Sequence, residues 1–288
     1  MILVSGAAGK TGLAIIRALA ARGAGVRAFV RDTAQAQRAR QAGAADTVCG
    51  DMVESDAWEQ ALRAIRAAYH IAPNMNPQEA QIGALALQEA RRARVAHFVY
   101  HSVMHPQTES MSHHWQKLRV EERVFESGIP FTILQPAAYM QNILASRQSI
   151  VEDGVFRVPY PVSTRLSLVH LSDVAQAAAR VLTEAGHAGA TYELVGTPPL
   201  AQLEVAGILG RVLGKDVRAQ TWDLEDWRRE AEQNGLAPYA LETLLGMFRY
   251  YADYGFEGNP NVLTWLLRRK PKSLADFAGE TFGDQPVD

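Results

Sequence analysis

The first half of the chain alternates short apolar runs with longer stretches in which apolar residues recur every three or four positions. The runs Ile2–Ser5, Val26–Val30, Thr47–Gly50, Ala68–Ile71, His97–His101 and Phe131–Leu134 read as strands, being short, β-branched or aromatic, and bounded by turn residues. Between them, Thr11–Arg22, Ala34–Ala42, Asp56–Ala67, Pro77–Ala93 and Ser112–Ser127 read as amphipathic helices. Thr33, Ser55 and Ser112 sit where N-caps are wanted, because their hydroxyls can accept from an unpaired first-turn amide. A parallel strand pair needs a crossover connection of this length, so repeated β-α units predict parallel strands with helices on both faces. Strands buried on both faces should be apolar throughout, and A-Y-H-I-A and H-F-V-Y-H partly are. The expected class is α/β, a doubly wound parallel sheet.

After about residue 150 the rhythm changes. V-F-R-V-P-Y-P-V carries two prolines in a strand-like run, which predicts an edge or an irregular loop. L-S-L-V-H-L-S-D-V-A-Q-A-A-A-R-V-L returns to strand, cap and helix and is expected to rejoin the main sheet. Beyond Gly186 come a short strand, Thr191–Leu194, a helix, Leu200–Leu213, and a helical, aromatic-rich tail. The expected division is a larger domain over 1–153, rejoined by 166–185, and a smaller mixed α/β C-terminal lobe over 154–165 and 186–288.

Composition narrows the classes. A chain of 288 residues, 48% hydrophobic and 21% charged, is ordinary for a globular protein. A formal net charge of -2 offers no basic field, so nucleic acid is not an expected partner. Cys49 is the single cysteine, which excludes an internal disulfide framework and a cysteine-based zinc cluster. No window approaches the ~18 uninterrupted apolar residues of a membrane span. The opening M-I-L-V-S-G reads as strand and turn, so neither a leader nor a membrane partner is expected and the compartment expected is the cytoplasm.

The chemistry starts at V-S-G-A-A-G-K-T-G, which places Gly6, Gly9 and Gly12 between the first strand and the first helix, with Lys10 and Thr11 among them. A dinucleotide's diphosphate needs close backbone approach, unpaired amides and the positive end of a helix. In that reading Gly6 permits the tight turn, Gly9 the approach to phosphate, and Gly12 the packing of helix on strand. The position at the start of a β-α-β unit makes the motif persuasive for a Rossmann domain. The second strand ends F-V-R-D. Arg31 stands where an NAD site would offer an acid to the ribose diol, and a guanidinium there pairs with a 2′-phosphate, favouring NADP(H) over NAD(H). Arg31 as a solvated loop charge is the bland alternative, and Asp32 could serve the diol or cap the next helix. Gly50-Asp51-Met52 closes the third strand; the Asp51 carboxylate could accept from the adenine amino group or simply hold a turn. Ala72, Pro73 and Asn74 end the fourth strand and leave room for the adenosine ribose.

With these positions in place, the chain resembles the NmrA-like branch of the atypical short-chain dehydrogenases/reductases. The matching stretches are G-A-A-G-K-T-G, V-R-D, G-D, H-F-V-Y-H-S-V, K-x-x-V-E-E-x-x-x-x-S-G-I-P-F-T-I-L-Q-P, Y-M-Q-N, V-H-L-S-D-V-A-Q-A-A and Y-Y-A-D-Y-G-F-E-G-N-P-N-V-L, nearly the whole chain. The resemblance implies a Rossmann domain with a small C-terminal lobe, and either an NADPH-dependent reductase of quinones or other small carbonyl or enone acceptors, or a redox sensor that binds the dinucleotide and relays its state to a protein partner. A homo-oligomer stays open.

In typical members of the wider family a strand-five serine and a Tyr-x-x-x-Lys helix share the reaction. Here Ser102 matches the serine region and Lys117 the lysine, which would hold the nicotinamide ribose, but the tyrosine position is His113. His113 reads as a replacement acid, as passive polar lining, or as a surface residue. Pro136 and Tyr139 fall where the family closes over the nicotinamide, and Tyr139 could equally pack the next helix. The alternation His97, His101, His105 does not predict a metal, because strand residues four apart lie about 13 Å from each other. Trp222, Trp227, Phe248, Tyr250, Tyr251, Tyr254 and Trp265 read mainly as core, with a few lining an apolar pocket.

Overall fold

The computed structural model describes residues 1–283. A seven-stranded sheet organises the first part of the chain. Its strands are β1 (Ile2–Val4), β2 (Val26–Val30), β3 (Asp46–Cys49), β4 (Ala67–His70), β5 (His97–His101) and β6 (Phe131–Pro136), with Ala190–Leu194 beside β6. Five helices alternate with them: α1 (Lys10–Ala20), α2 (Thr33–Gln41), α3 (Ser55–Leu62), α4 (Glu79–Arg92) and α5 (Ser112–Glu126). The order β3-β2-β1-β4-β5-β6 runs outward in both directions from β1. The pairs among β1 to β6 are parallel, with β1 in register between β2 and β4: Ile2 opposite Val26 and Ala67. This is the doubly wound Rossmann topology, and ligands of such sheets bind where the order reverses, at the carboxyl ends of β1 and β4.

Local chemistry accounts for the helix bounds. α2 starts one residue earlier than Thr33 as a cap would place it, because Asp32 takes that role: its Oδ1 accepts from the Gln35 amide at 2.7 Å. α3 ends at Leu62, short of Ala67, because Ala64 turns left-handed at φ 60° and residue 67 already opens β4. One face of the sheet buries Leu3, Phe29, Trp58, Leu62, Phe98, Tyr100, Val120 and Ile133 in a single cluster. Phe29 meets Trp58 edge to face at 5.0 Å between ring centres, a geometry that adds about 1 kcal/mol to simple burial. The other face receives Ile15, Ile16 and Leu19 of α1, all fully buried.

The chain separates into two compact units. The first is 1–109, 113–136 and 174–193; the second is 110–112, 137–173 and 194 onward. In the second, Val155–Val158 pairs in parallel with Arg218–Thr221, and the strand stops before Pro159, as the missing amide of proline requires. The strand expected to rejoin the main sheet does not: Leu168–Val169 pairs with Ala138–Tyr139 instead. The place beside β6 goes to Ala190–Leu194, which follows the helix Leu171–Thr183. Fully buried Asp173 ties the tail of that unit, accepting from Arg269 at 2.6 Å and from the Lys272 amide at 2.7 Å. Among the described residues no helix is long and apolar enough to cross a membrane.

Candidate functional site

Between β1 and α1 the tight turn Gly6-Ala7-Ala8-Gly9 carries no side chain larger than a methyl group. Gly6 adopts φ +59°, and a Cβ there would lie 2.7 Å from the Ile71 carbonyl oxygen. A Cβ on Gly12 would lie 2.4 Å from the Gly6 oxygen. Both are far inside contact distance, so the turn tolerates glycine alone at these two positions. Gly9 is exposed and a Cβ there would meet only the Gly6 oxygen, at 3.4 Å. Its hydrogen atom therefore faces open space, which is where a ligand must approach. Gly9 caps α1 without any side-chain bond and the first turn holds no acid. The first amide closed into the helix is Leu13, onto Gly9; the amides of Lys10, Thr11 and Gly12 precede it and have no intrahelical acceptor. An uncapped, positive helix end behind a bare turn fits a diphosphate. Ser5 pins the neighbouring strand ends, accepting from the Ile71 amide at 3.0 Å and bonding His70 Nδ1 at 2.8 Å.

The residues expected to border adenosine, at the ends of β2, β3 and β4, are mostly exposed. Arg31 is exposed, its amide donating to Gln35 Oε1 at 3.1 Å, while the Asp32 carboxylate is committed to the α2 cap. Asp51 is exposed and holds a turn, accepting from the Val53 amide at 3.1 Å. Met52 is partly buried against the core, and its carbonyl accepts from the Trp58 indole at 2.8 Å. Ala72 is buried, and Pro73 and Asn74 are exposed.

At the carboxyl end of β5 the structure brings together Ser102 and Lys117, with buried partners that local sequence does not reveal. Tyr100 and Ser102 alternate with His101 along the strand, so they face one side and His101 the other. His101 Nδ1 meets the Tyr69 hydroxyl at 2.6 Å. On the opposite side Lys117 Nζ donates to Glu79 Oε1 at 2.5 Å, and Tyr100 Oη donates to the same oxygen at 3.1 Å. Glu79 is 2% exposed. Removing either charge of such a pair leaves the other without its counter-charge, a loss of about 3–5 kcal/mol. Ser102 is buried, and its hydroxyl donates to buried Glu121, which also accepts from Gln135 Nε2 at 2.9 Å. Burial raises the Glu121 carboxyl above its ordinary value, against the hydrogen bonds from Ser102 and Gln135 and the Lys117 charge. The serine hydroxyl is thus held inward.

His113 is neither fully buried nor a surface group. Its ring packs edge to face on His114 at 4.4 Å, and its Nδ1 is buried with no hydrogen-bond partner among the described residues. Desolvation, then the Lys117 charge, hold its pKa down at about 4. Near neutral pH the imidazole is therefore uncharged. His114 is buried, bonds the His105 carbonyl at 3.1 Å and is held at about 3 by desolvation first. His97 bonds Thr132 at 2.9 Å. Among the described residues no group of three His, Cys, Asp or Glu side chains is placed to hold a metal.

Pro136 ends β6 and is buried, its carbonyl accepting from the Met104 amide at 2.9 Å. Tyr139, in the second unit, is partly buried in the short pairing with Leu168–Val169. That unit carries an aromatic cluster: Trp227 on Phe248 at 4.8 Å, Phe248 near Tyr160, and Tyr160 near Tyr251, which stacks on Phe256 at 5.1 Å. Tyr251 is buried and Tyr160 partly buried, and desolvation pushes both phenols up, so they remain protonated. Tyr254 is 72% exposed, outside that cluster.

The doubly wound sheet and the glycine-rich turn at its switch point define a dinucleotide-binding class of protein. A profile of the NmrA-like family matches residues 1–278, and the chain belongs to that family. It is 28% identical over 279 residues to an NAD(P)H azoreductase of Xenophilus azovorans, covering 96% of each chain. It is 29% identical over 284 residues to quinone oxidoreductase 2 of Escherichia coli (strain K12), covering 98% of this chain and 99% of that one. The crystal structure of that NADPH-dependent quinone oxidoreductase, complexed with NADPH, superposes with a TM-score of 0.87 at 27% identity over 98% of this chain and 100% of the other.

Proposed function

We propose that the chain is an NADPH-dependent oxidoreductase that reduces a small, flat, apolar acceptor such as a quinone or enone. The observation that carries this reading is the uncapped start of α1 behind Gly6, Gly9 and Gly12, where a Cβ at Gly6 or Gly12 would collide with backbone at 2.7 or 2.4 Å. Gly6, Gly9, Lys10, Thr11 and Gly12 would cradle the diphosphate. Arg31 would take the 2′-phosphate, its exposed guanidinium being suited to bidentate pairing. Asp51, Met52, Ala72, Pro73 and Asn74 would border the adenosine. Lys117 would hold the nicotinamide ribose, with Pro136 nearer the ring. The bound dinucleotide would supply the hydride.

The acid-base side supports a quinone-like acceptor. Ser102 is turned inward to Glu121, and His113, held at about 4, is neutral near pH 7. A carbonyl reduced to an alkoxide needs a strong proton donor in place. A quinone that accepts hydride becomes an aromatic phenolate, a far weaker base, and can draw its proton from water. His113 then lines the site without acting as the acid. The same neutral histidine suits a redox sensor that binds the dinucleotide without turnover and acts through a protein partner.

The test follows NADPH absorbance against a panel of quinones and enones, for wild type and Lys117→Ala. Oxidation by wild type, reduced at least ~100-fold in kcat/KM by Lys117→Ala, is the expected result. Tight NADPH binding with no oxidation of any acceptor would give the sensor reading instead.

A further inference from the structure

We infer that Glu79 is a positioning residue that sets the Lys117 ammonium for the nicotinamide ribose, and that the close packing of α4 on α5 at Gly83 makes this possible. The inference rests on the dinucleotide-binding reading above. It starts from the packing. A Cβ on Gly83 would lie 2.6 Å from Val120 Cγ1 and 2.7 Å from Val120 Cγ2. Only a glycine lets the two helices approach so closely. Glu79 lies one turn before Gly83 on the same face of α4, and Lys117 lies one turn before Val120 on α5. Contact at Gly83 therefore brings the carboxylate and the ammonium together across the helix pair.

The pair is then fixed from both ends. Glu79 Oε1 accepts from Lys117 at 2.5 Å and from the Tyr100 hydroxyl at 3.1 Å, and Tyr100 is itself fully buried. Desolvation first, then the Glu79 charge, raise the Tyr100 phenol well above its ordinary value, so it stays a donor. Lys117 Nζ sits 5.7 Å from the centre of the Tyr100 ring and at 3.5 Å from the His101 carbonyl. An ammonium has three N–H donors. Glu79 and His101 account for two among the described residues, and the third is the one that would reach a ribose hydroxyl. A lysine otherwise loses substantial rotamer freedom on binding a ligand. Here Glu79 has imposed that loss before the ligand arrives, which is the physical content of preorganisation.

Two ligands separate positioning from mere structure. NADPH contains the nicotinamide ribose; adenosine 2′,5′-bisphosphate does not. Their dissociation constants are measured by fluorescence titration for wild type, Glu79→Gln, Glu79→Asp, Lys117→Ala and the Glu79→Gln/Lys117→Ala double variant. Glu79→Gln is expected to weaken NADPH roughly tenfold while the bisphosphate changes by less than about twofold. Glu79→Asp should recover part of the loss, and the double variant should bind no worse than Lys117→Ala alone. Equal weakening of both ligands, no weakening of NADPH, or additive losses in the double variant would overturn the inference. If Glu79→Gln does not fold, Tyr100→Phe, which removes one bond to Glu79 and leaves the charges paired, is read by the same ratio with a smaller expected shift. A wild type that binds neither ligand would overturn the dinucleotide reading itself, whereas binding with an unmoved ratio overturns only the role of Glu79.

Discussion

Arg31 and Asp32 are adjacent in the chain and have different duties. The Asp32 carboxylate closes α2 on the Gln35 amide at 2.7 Å, and a cap of this kind contributes about 1 kcal/mol to its helix. That engagement leaves the exposed Arg31 as the charged side chain at the end of β2 that can answer a ligand. Arg31→Ala is expected to weaken NADPH by roughly tenfold or more and NADH by less than about twofold, because only the former carries the 2′-phosphate. Calorimetric titration with each nucleotide checks this, and equal losses would take the phosphate from Arg31. At this scale the sequence left Asp32 two roles and Asp51 two roles. The structure gives both a local backbone partner, and which partner wins depends on distances that residue type does not carry.

The turn between β1 and α1 sets helix propensity against packing. Alanine is favoured over glycine inside a helix by about 1 kcal/mol, so Gly12→Ala would stabilise α1 if propensity governed. The Gly6 oxygen, 2.4 Å from the new Cβ, says otherwise. Gly12→Ala is expected to lower the thermal midpoint and weaken NADPH at least ~10-fold. Gly279→Ala serves as the control, because a Cβ there meets nothing within 4 Å among the described residues; it should stabilise by about 0.5–1 kcal/mol and leave binding alone. Differential scanning calorimetry with and without NADPH separates the two. The glycine spacing was legible because the turn is contiguous and its constraints act within a few residues. The 166–169 strand was not placed correctly, because an apolar run of that length pairs equally well with any open strand, and Ala138–Tyr139 took it.

Several histidines of the first unit make its stability depend on pH. Burial holds His70, His101 and His114 at about 3 and His113 at about 4, against 6.5 when unfolded. Below pH 6.5 the unfolded chain therefore binds more protons than the folded one, and the free energy of unfolding falls as pH falls. The loss begins near the unfolded value and is complete only near the folded ones, at up to about 1.4 kcal/mol per pH unit for each ring. Glu121 works the other way, since burial raises its carboxyl, but it is one group against four rings. The urea midpoint is expected to fall steadily from about pH 6.5 to about pH 4. A flat midpoint across that window would mean that these rings protonate within the folded protein.

Periodicity and turn chemistry determined the order of β-α units, the parallel sheet and the glycine turn, since each of these follows from residues close together in the chain. Only the folded molecule decided what Lys117 and Ser102 touch. Glu79 lies 38 residues from Lys117, and Glu121 lies 19 from Ser102. Glu121 stood four places after Lys117 on one helical face, a spacing that hints at shared surroundings. Glu79 had no such signal. Whether a charge is buried, and which opposite charge meets it, is set by how closely two helices pack, here by Gly83 against Val120. That closeness is a property of three dimensions, and pattern along one dimension does not contain it.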